Sequence, residues 1–330
     1  MAARYVPRCS GRSCCCSSPW RCIALTVVAI VGHTGSGKST IAEVVADRFG
    51  AEIVSVDSMQ VYRGMDIGTA KPSMAVRERI PHHMIDVAEP SQEYDVARFQ
   101  TEARAAISGI GGRGGRTLIV GGSGLHFRAI VDPASFAPTD PSLREELEAT
   151  ATEDLVAELL LFDPQAGSMV DLYNPRRVTR AVEVARLTGE GPTFRASKPA
   201  AVAFRAYQPF MPHHSIGIDA GQHAHARADA RFDAMIDSGL VEEVERLAGR
   251  LGRTASGAVG YKELEPTVRD VIPLAEGVTD AKRATRALIK RQRTYFRRDP
   301  RIVWMPWQDD DQQRIEGVVE HIERATSWTS

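Results

Sequence analysis

The sequence predicts an α/β protein: a parallel-sheet core interrupted by an inserted, mostly helical domain. Three observations carry this expectation. Residues 23–31 form a continuous β-branched and apolar run that feeds straight into a glycine-rich stretch, and an unalternating run of this kind suits a strand covered on both faces. Strand-like and helix-like segments then alternate as far as residue 133, the pattern of a parallel sheet with helices on both faces and its site at the strand carboxyl ends. Over residues 134–214 the alternation stops and helical periodicity takes over.

The elements follow in order. Residues 39–49 read as a helix with Ile41, Val44, Val45 and Phe49 on one side, stopped by Gly50. Residues 52–56 form a second strand ending in Asp57-Ser58, and residues 83–87 a short third one. A helix over 94–107 leads, through the low-complexity connection 109–115, to a buried strand over 117–120 that ends in Gly121-Gly122. In the insertion, Pro138, Asp140 and Pro141 open a helix, and 143–161 and 176–187 are both helical in period. The chain returns to the sheet at 215–219, continues as one long helix over 223–250 and a basic helix over 283–297, and ends with a strand at 302–305. The expected division is a tail over 1–22, a core over 23–133 and 215–330, and an insertion over 134–214.

Composition narrows the class. A net charge of −1 over 330 residues excludes a general polyanion binder, so any nucleic-acid surface must come from local clusters of Lys and Arg. The longest apolar run, 23–31, falls far short of the roughly 20 residues of a membrane-spanning helix, which makes a soluble, cytoplasmic protein the expectation. All five cysteines (Cys9, Cys14, Cys15, Cys16, Cys22) precede the first strand, so the fold does not depend on disulfides. The first 22 residues contain Arg4, Arg8, Arg12 and Arg21 and no acid, a composition similar to an organelle transit peptide. A disordered tail or a start codon placed too early is the plainer reading.

Gly32-x4-Gly37-Lys38-Ser39 fits the phosphate-loop pattern at every fixed position. In such a loop the backbone N–H groups of Gly32, His33, Thr34, Gly35, Ser36 and Gly37 curl around phosphate oxygens and the following helix adds its positive end. Lys38 supplies a point charge, and the Ser39 hydroxyl suits Mg²⁺. The loop specifies a phosphate ligand, not a nucleotide or a reaction.

Further motifs decide the reaction. VSVDSMQVYRGMDIGTAKP begins at Val54, PHHMIDV at Pro81 and VGGSGLHFRAIV at Val120; NPRRVTRAVEV, GAVGYKEL and KRQRTYFRR follow from Asn174, Gly257 and Lys290. In order and spacing, over about residues 28–298, these resemble the tRNA dimethylallyltransferase (tRNA isopentenyltransferase) family, bacterial type. The IGTAKP string with its flanking DS-x-Q-x-Y is very specific. The resemblance implies a P-loop NTPase-like core and transfer of a dimethylallyl group from dimethylallyl diphosphate to N6 of an adenosine beside the anticodon of tRNA. It implies Asp57 as general base, where a helix cap or Mg²⁺ ligand is the alternative reading, and Ser123 near the reacting amine, with Mg²⁺ as cofactor. Arg227 and Arg231, one helical turn apart, either reach the diphosphate or form a solvated face.

For tRNA the resemblance points to Asp57, Ser58, Met59, Gln60 and Ser123 at the flipped base. It adds Arg144, Arg176, Arg177 and Arg180 on the insertion, then Gly260, Tyr261 and Lys262, and Lys290, Arg291, Gln292 and Arg297 in the basic stretch. Tyr295 and Phe296 lie inside that stretch, either stacking on bases or, more usually at this spacing, in the core. Ser123 stands where the family usually has Thr, His33 where it has Pro and His126 where it has Tyr, from which altered fit is expected. A zinc finger is not expected, since no Cys follows Cys22. The rival readings are an adenylate isopentenyltransferase acting on free nucleotide, a P-loop small-molecule kinase, and a non-catalytic RNA-binding protein with a relic loop. A monomer is the working expectation.

Overall fold

The computed structural model describes residues 27–329. The 22-residue tail, the five cysteines and the start of the first apolar run lie outside them.

Six strands form one parallel sheet. They are β1 (Val27–Gly32), β2 (Ala51–Val56), β3 (His82–His83), β4 (Arg116–Gly121), β5 (His213–Ile218) and β6 (Ile302–Trp304), in the order β3-β2-β4-β1-β5-β6. β1 is central, and all six of its residues are buried. Val28 and Ile30 point into a cluster with Ile41, Val45 and Phe49. Val27, Ala29 and Val31 point the other way, into a cluster with Phe99, Ile107 and Phe127. Burial on both faces is why the run does not alternate. Each fully buried Val or Ile contributes about 1.5–3 kcal/mol, so the centre of the sheet is its most strongly held part.

The helices of the first half are α1 (Lys38–Phe49), α2 (Met74–Arg79), α3 (Val96–Gly112) and α4 (Gly124–Val131). The insertion holds α5 (Pro141–Ala149), α6 (Thr152–Phe162), α7 (Pro175–Thr188), α8 (Pro192–Ser197) and α9 (Pro199–Arg205). Of these, α5, α6 and α7 close over a small core of their own built on Leu147, Leu155, Leu159, Val178 and Val182. After β5 come α10 (Ala224–Asp237), α11 (Leu240–Leu247), α12 (Tyr261–Val268), the 24-residue α13 (Leu274–Arg297) and α14 (Asp311–Ala325). α14 shares the α1 face of the sheet, while residues of α10 to α13 join the core on the α3 face.

Several expectations need correction. The helix expected to end at 107 runs through Gly109 and Gly111 to Gly112, because buried Ile107 and Ile110 hold it to the sheet. The segment 143–161 is two helices, separated where Thr150 turns extended. The segment 223–250 also breaks, at Gly239, whose φ of 96° is one that L side chains rarely adopt. The third strand shrinks to two residues because Met84 and Asp86 take positive φ and turn the chain. α13 starts at Leu274, nine residues before the expected Arg283.

Candidate functional site

Strand register assembles the site. Gly121 of β4 is paired with both Val31 of β1 and Val56 of β2, and Gly32 with Ile218 of β5. Four strands therefore end at one level, and the residues that follow them stand side by side: the glycine loop, Asp57, Gly122-Ser123 and Asp219. The approach is close enough to require glycine. A Cβ on Gly121 would lie 2.1 Å from the Val56 carbonyl oxygen, and one on Gly32 2.3 Å from that of Ile218.

The loop turns on Gly35 and Gly37, at φ 79° and 82°. Lys38 folds back, its Nζ 3.3 Å from the His33 carbonyl oxygen. Burial, with Arg231 nearby, lowers its pKa to about 8, against an opposing pull from Asp57. Arg227 donates to the Gly35 carbonyl at 3.1 Å. Arg231 lines a cavity of about 290 Å³ together with Lys38, Ser39, Asp57, Gln60 and Thr69. Arg231 is thus held in the cavity and is not part of a solvated face, whereas Arg227 flanks the loop from an exposed position. A wider groove of about 770 Å³ shares Lys71 and Arg231 with this cavity and adds Ile67, Met74 and Met235.

Asp57 accepts from the Met59 N–H at 2.9 Å through Oδ1, a local turn that orients the carboxylate toward the cavity. Ser123 is tied to the same strand end, its N–H donating to the Val56 carbonyl at 3.2 Å. Its Oγ lies 2.8 Å from His126 Nδ1.

His33 has a structural account. It is 1% exposed, and Nδ1 donates to the Thr34 carbonyl at 2.7 Å, which leaves Nε2 to accept from Ala220 N–H at 3.2 Å. Burial lowers its pKa, consistent with a neutral ring. Asp219, 3.1 Å from Nε2, is paired with Arg293 and Arg297, which hold its carboxyl well below the usual range. The loop histidine is a strut between the loop and the end of β5.

Several residues expected to meet tRNA are committed internally. The Gln60 side chain accepts from the Ser55 hydroxyl at 2.7 Å and donates to the Thr69 and Ala70 carbonyls. Tyr261 is 1% exposed, and its hydroxyl donates to buried Glu243, which also accepts from the backbone N–H groups of Asp66, Ile67 and Gly68. Lys71 is buried against the Tyr62 carbonyl, Asp66 and Asp86. The IGTAKP string therefore encodes a loop and its internal partners. Gly260 caps α12 at φ 95°, and Lys262 alone of that trio is exposed.

The basic clusters also divide. Arg144 and Arg180 both pair with buried Glu183, and Arg180 donates to the Ala137 and Pro138 carbonyls, so these two brace the insertion. Arg176 and Arg177 are exposed; Arg177 has a loose pair with Asp171 at 3.6 Å. Along α13, Lys282, Arg283, Arg286, Arg293 and Arg297 pair with acids, most of them from other elements. The cluster is thus less charged outward than its sequence suggested. Lys290, Arg291 and Arg298 are exposed without an ion pair among the described residues. Gln292 accepts from the Thr34 N–H at 2.9 Å and belongs to the loop. Phe296 is core, against Phe127, and Tyr295 packs on Gly124.

Sequence reasoning did not assign roles to Asp219, Glu243 or Lys71. Asp219 carried a usable signal, an acid directly after a buried strand, as at Asp57. For Glu243 there was none, since the backbone N–H groups it accepts from lie about 175 residues away in sequence. Among the described residues no group of three or more His, Cys, Asp or Glu could by itself hold a metal ion. Ser39 and Asp57 offer hard oxygen donors on one cavity, which suits a Mg²⁺ held mainly by ligand phosphates and water.

A parallel sheet with a glycine loop after its central strand, a lysine opening the next helix and a carboxylate after the neighbouring strand defines a P-loop α/β protein with an acid facing the phosphate site. The family model described as IPP transferase matches residues 60–299, and that described as isopentenyl transferase matches 25–81. The chain belongs to the IPP transferase family. It is 44% identical over 293 residues to the tRNA dimethylallyltransferase of Pseudarthrobacter chlorophenolicus, covering 86% of this chain and 95% of that protein. It is 43% identical over 311 residues to that of Moorella thermoacetica, covering 89% and 93%. The crystal structure of the full-length tRNA isopentenylpyrophosphate transferase of Bacillus halodurans has a TM-score of 0.66 at 33% identity, with 91% of this chain and 96% of that one covered. A eukaryotic dimethylallyltransferase acting on tRNA, 24% identical with a TM-score of 0.76, shares the fold. No helix among the described residues is long and apolar enough to cross a membrane.

Proposed function

We propose that this chain, acting as a cytoplasmic monomer, transfers a dimethylallyl group from dimethylallyl diphosphate to N6 of an adenosine beside the anticodon of tRNA. The observation that carries the reading is the single cavity shared by the cations Lys38 and Arg231 and the carboxylate of Asp57. In such a transfer the bond between the allylic carbon and the diphosphate oxygen breaks, and its electron pair leaves with the diphosphate. The N6 lone pair forms the new carbon–nitrogen bond. The amine loses a proton, which Asp57 accepts.

Each part has a residue suited to it. Lys38, Arg227, Arg231 and the loop N–H groups receive the charge that develops on the leaving diphosphate. The Ser39 hydroxyl would help to hold Mg²⁺, which would supply further neutralisation of that charge. Asp57 meets the amine as positive charge grows on nitrogen. Ile67, Met74 and Met235 offer apolar surface for the prenyl tail. Arg176, Lys290, Arg291 and Arg298, exposed and without an ion pair among the described residues, and the loosely paired Arg177 suit RNA phosphates.

The test is incubation of the purified chain with labelled dimethylallyl diphosphate and either bulk tRNA or AMP, with ATP as a separate phosphoryl donor. Label in tRNA alone is expected. Label in AMP would assign the chain to free-nucleotide transfer, phosphoryl transfer from ATP would make it a kinase, and no transfer at all would leave an RNA-binding protein.

A further inference from the structure

Ser123 is the N-cap residue of α4, yet its side chain makes no capping hydrogen bond. A serine in that place ordinarily accepts from an N–H of the first turn, a contact worth about 1 kcal/mol. Here the hydroxyl instead meets Nδ1 of His126, at 2.8 Å, on the first turn of the same helix. A local preference is set aside at a position that the proposed function puts close to the reacting amine, and functional sites are where local rules are overridden.

The imidazole is well fixed for this contact. His126 is half-buried and its ring meets Phe99 edge-on, centroids 4.6 Å apart at 80°. Burial lowers its pKa to about 4, with Asp57 opposing, so the ring is neutral at physiological pH and keeps one unprotonated nitrogen. A neutral ring accepts at one nitrogen and donates at the other. With Nδ1 as the acceptor, the Ser123 hydroxyl donates its hydrogen bond to His126 and both oxygen lone pairs face outward. An exocyclic amine carries two N–H donors and no good acceptor. With Asp57 taking one, a hydroxyl whose own proton is turned away is the matching partner for the other.

We infer that His126 is a positioning residue for the transfer: it holds the Ser123 hydroxyl out of the helix cap by accepting its hydrogen bond at Nδ1, so that Ser123 presents an acceptor to the adenine amine. This rests on the proposed dimethylallyl transfer. It gives the histidine a task of its own that a tyrosine, whose hydroxyl lies further from the backbone, would not perform in the same geometry.

A double-mutant cycle on prenyl transfer to tRNA tests it. His126→Phe keeps the ring on Phe99 and removes the acceptor. It is expected to lower kcat at saturating tRNA about tenfold while leaving KM for dimethylallyl diphosphate within about twofold. His126→Asn places an amide oxygen where Nδ1 stood and is expected to restore most of that loss. In a Ser123→Ala background, His126→Phe is expected to have no further effect, because its action passes through the hydroxyl. Multiplying effects in the double variant would overturn the inference, as would a full-rate His126→Phe enzyme or an Asn variant no better than Phe. Should His126→Phe fail to fold by thermal melt, His126→Leu replaces it in the same cycle. If the wild-type chain prenylates no tRNA, the proposed function falls; if it does and the cycle is multiplicative, only the role of His126 falls.

Discussion

The Gln292 side-chain oxygen accepts a hydrogen bond from the Thr34 N–H at 2.9 Å, so a helix 258 residues further along the chain grips the phosphate loop. Its amide nitrogen packs against Gly122 at the end of β4. The next residue, Arg293, pairs with Asp219, which also contacts His33 of the loop. One turn of α13 thus sets the positions of three strand-end loops.

Gln292→Ala is therefore expected to weaken diphosphate binding rather than tRNA binding. A loop N–H that loses its partner while half-buried costs on the order of 1–2 kcal/mol, or roughly a tenfold rise in KM for dimethylallyl diphosphate. Gln292→Glu keeps an acceptor but brings negative charge to an anion site, so it should be worse than Ala. Calorimetric titration with inorganic pyrophosphate checks both. Unchanged pyrophosphate affinity with weakened tRNA binding would return Gln292 to the RNA surface.

The lowered pKa of Lys38 predicts a pH profile. Below about 8 its ammonium is charged and ready for the diphosphate; as pH rises through 8 it is lost, and kcat/KM should fall about tenfold per unit beyond that point. Bound diphosphate favours the charged form, so kcat should hold to higher pH than kcat/KM. The stability consequence has the opposite sign to that of an ordinary ion pair. A lysine whose folded pKa lies below its unfolded value of 10.5 opposes folding fully below pH 8, and the opposition fades as pH approaches 10.5. Lys38→Met should abolish turnover yet raise Tm at pH 7 by about 2 °C or more, with the gain shrinking by pH 10. Melting curves at the two pH values check it.

Asp57→Asn is expected to preserve the fold, because the amide oxygen can still accept from Met59 N–H, and to lower kcat about 10²–10⁴-fold, the usual contribution of a general base. Tm should shift little. A variant with near-normal turnover on saturating tRNA would reduce Asp57 to a turn residue or a metal ligand.

How far the sequence could be read depends on the range of each interaction. The loop from Gly32 to Ser39 was legible because its geometry is local: glycine spacing, a buried strand before it and a helix after it. The two-sided burial of β1 was legible from an apolar run that does not alternate. His33 was not, since its explanation lies in Asp219 and Ala220, 186 and 187 residues away. The basic stretch misled for the same reason. Its own sequence holds one acid, Asp299, yet Asp219 just after β5 and Asp229 and Asp233 of α10 neutralise much of it. Charge density along a helix reports what it carries, not what the fold sets opposite. The break at Gly239 was nearer to hand, since a glycine inside a helical pattern is a known stopping signal.

Glu243 gives a stability prediction separable from chemistry. Its buried carboxylate accepts from three consecutive backbone N–H groups and the Tyr261 hydroxyl. Glu243→Gln would turn an NH₂ toward donors and leave at least one unsatisfied, costing about 1–3 kcal/mol. A fall in Tm of several degrees, with the 66–68 segment exchanging its amides faster, is expected. An unchanged melt would mean that water replaces the lost acceptor.

The divided basic surface yields the sharpest test of how tRNA is held. A cation that neutralises a phosphate releases counterions, so its removal flattens the dependence of log affinity on log salt by roughly 0.7–0.9. Arg176→Ala, Lys290→Ala and Arg291→Ala remove exposed cations that have no ion pair among the described residues, and each should flatten the slope by about that amount without changing Tm. Arg144→Ala and Arg180→Ala remove partners of a carboxylate that is 0% exposed. Those two should lower Tm and leave the salt slope of the surviving folded protein unchanged. Filter binding of tRNA between about 50 and 200 mM salt, run beside melting curves, separates the two groups. If Arg180→Ala flattened the slope and Arg176→Ala did not, the face of α7 that meets RNA would be the opposite one.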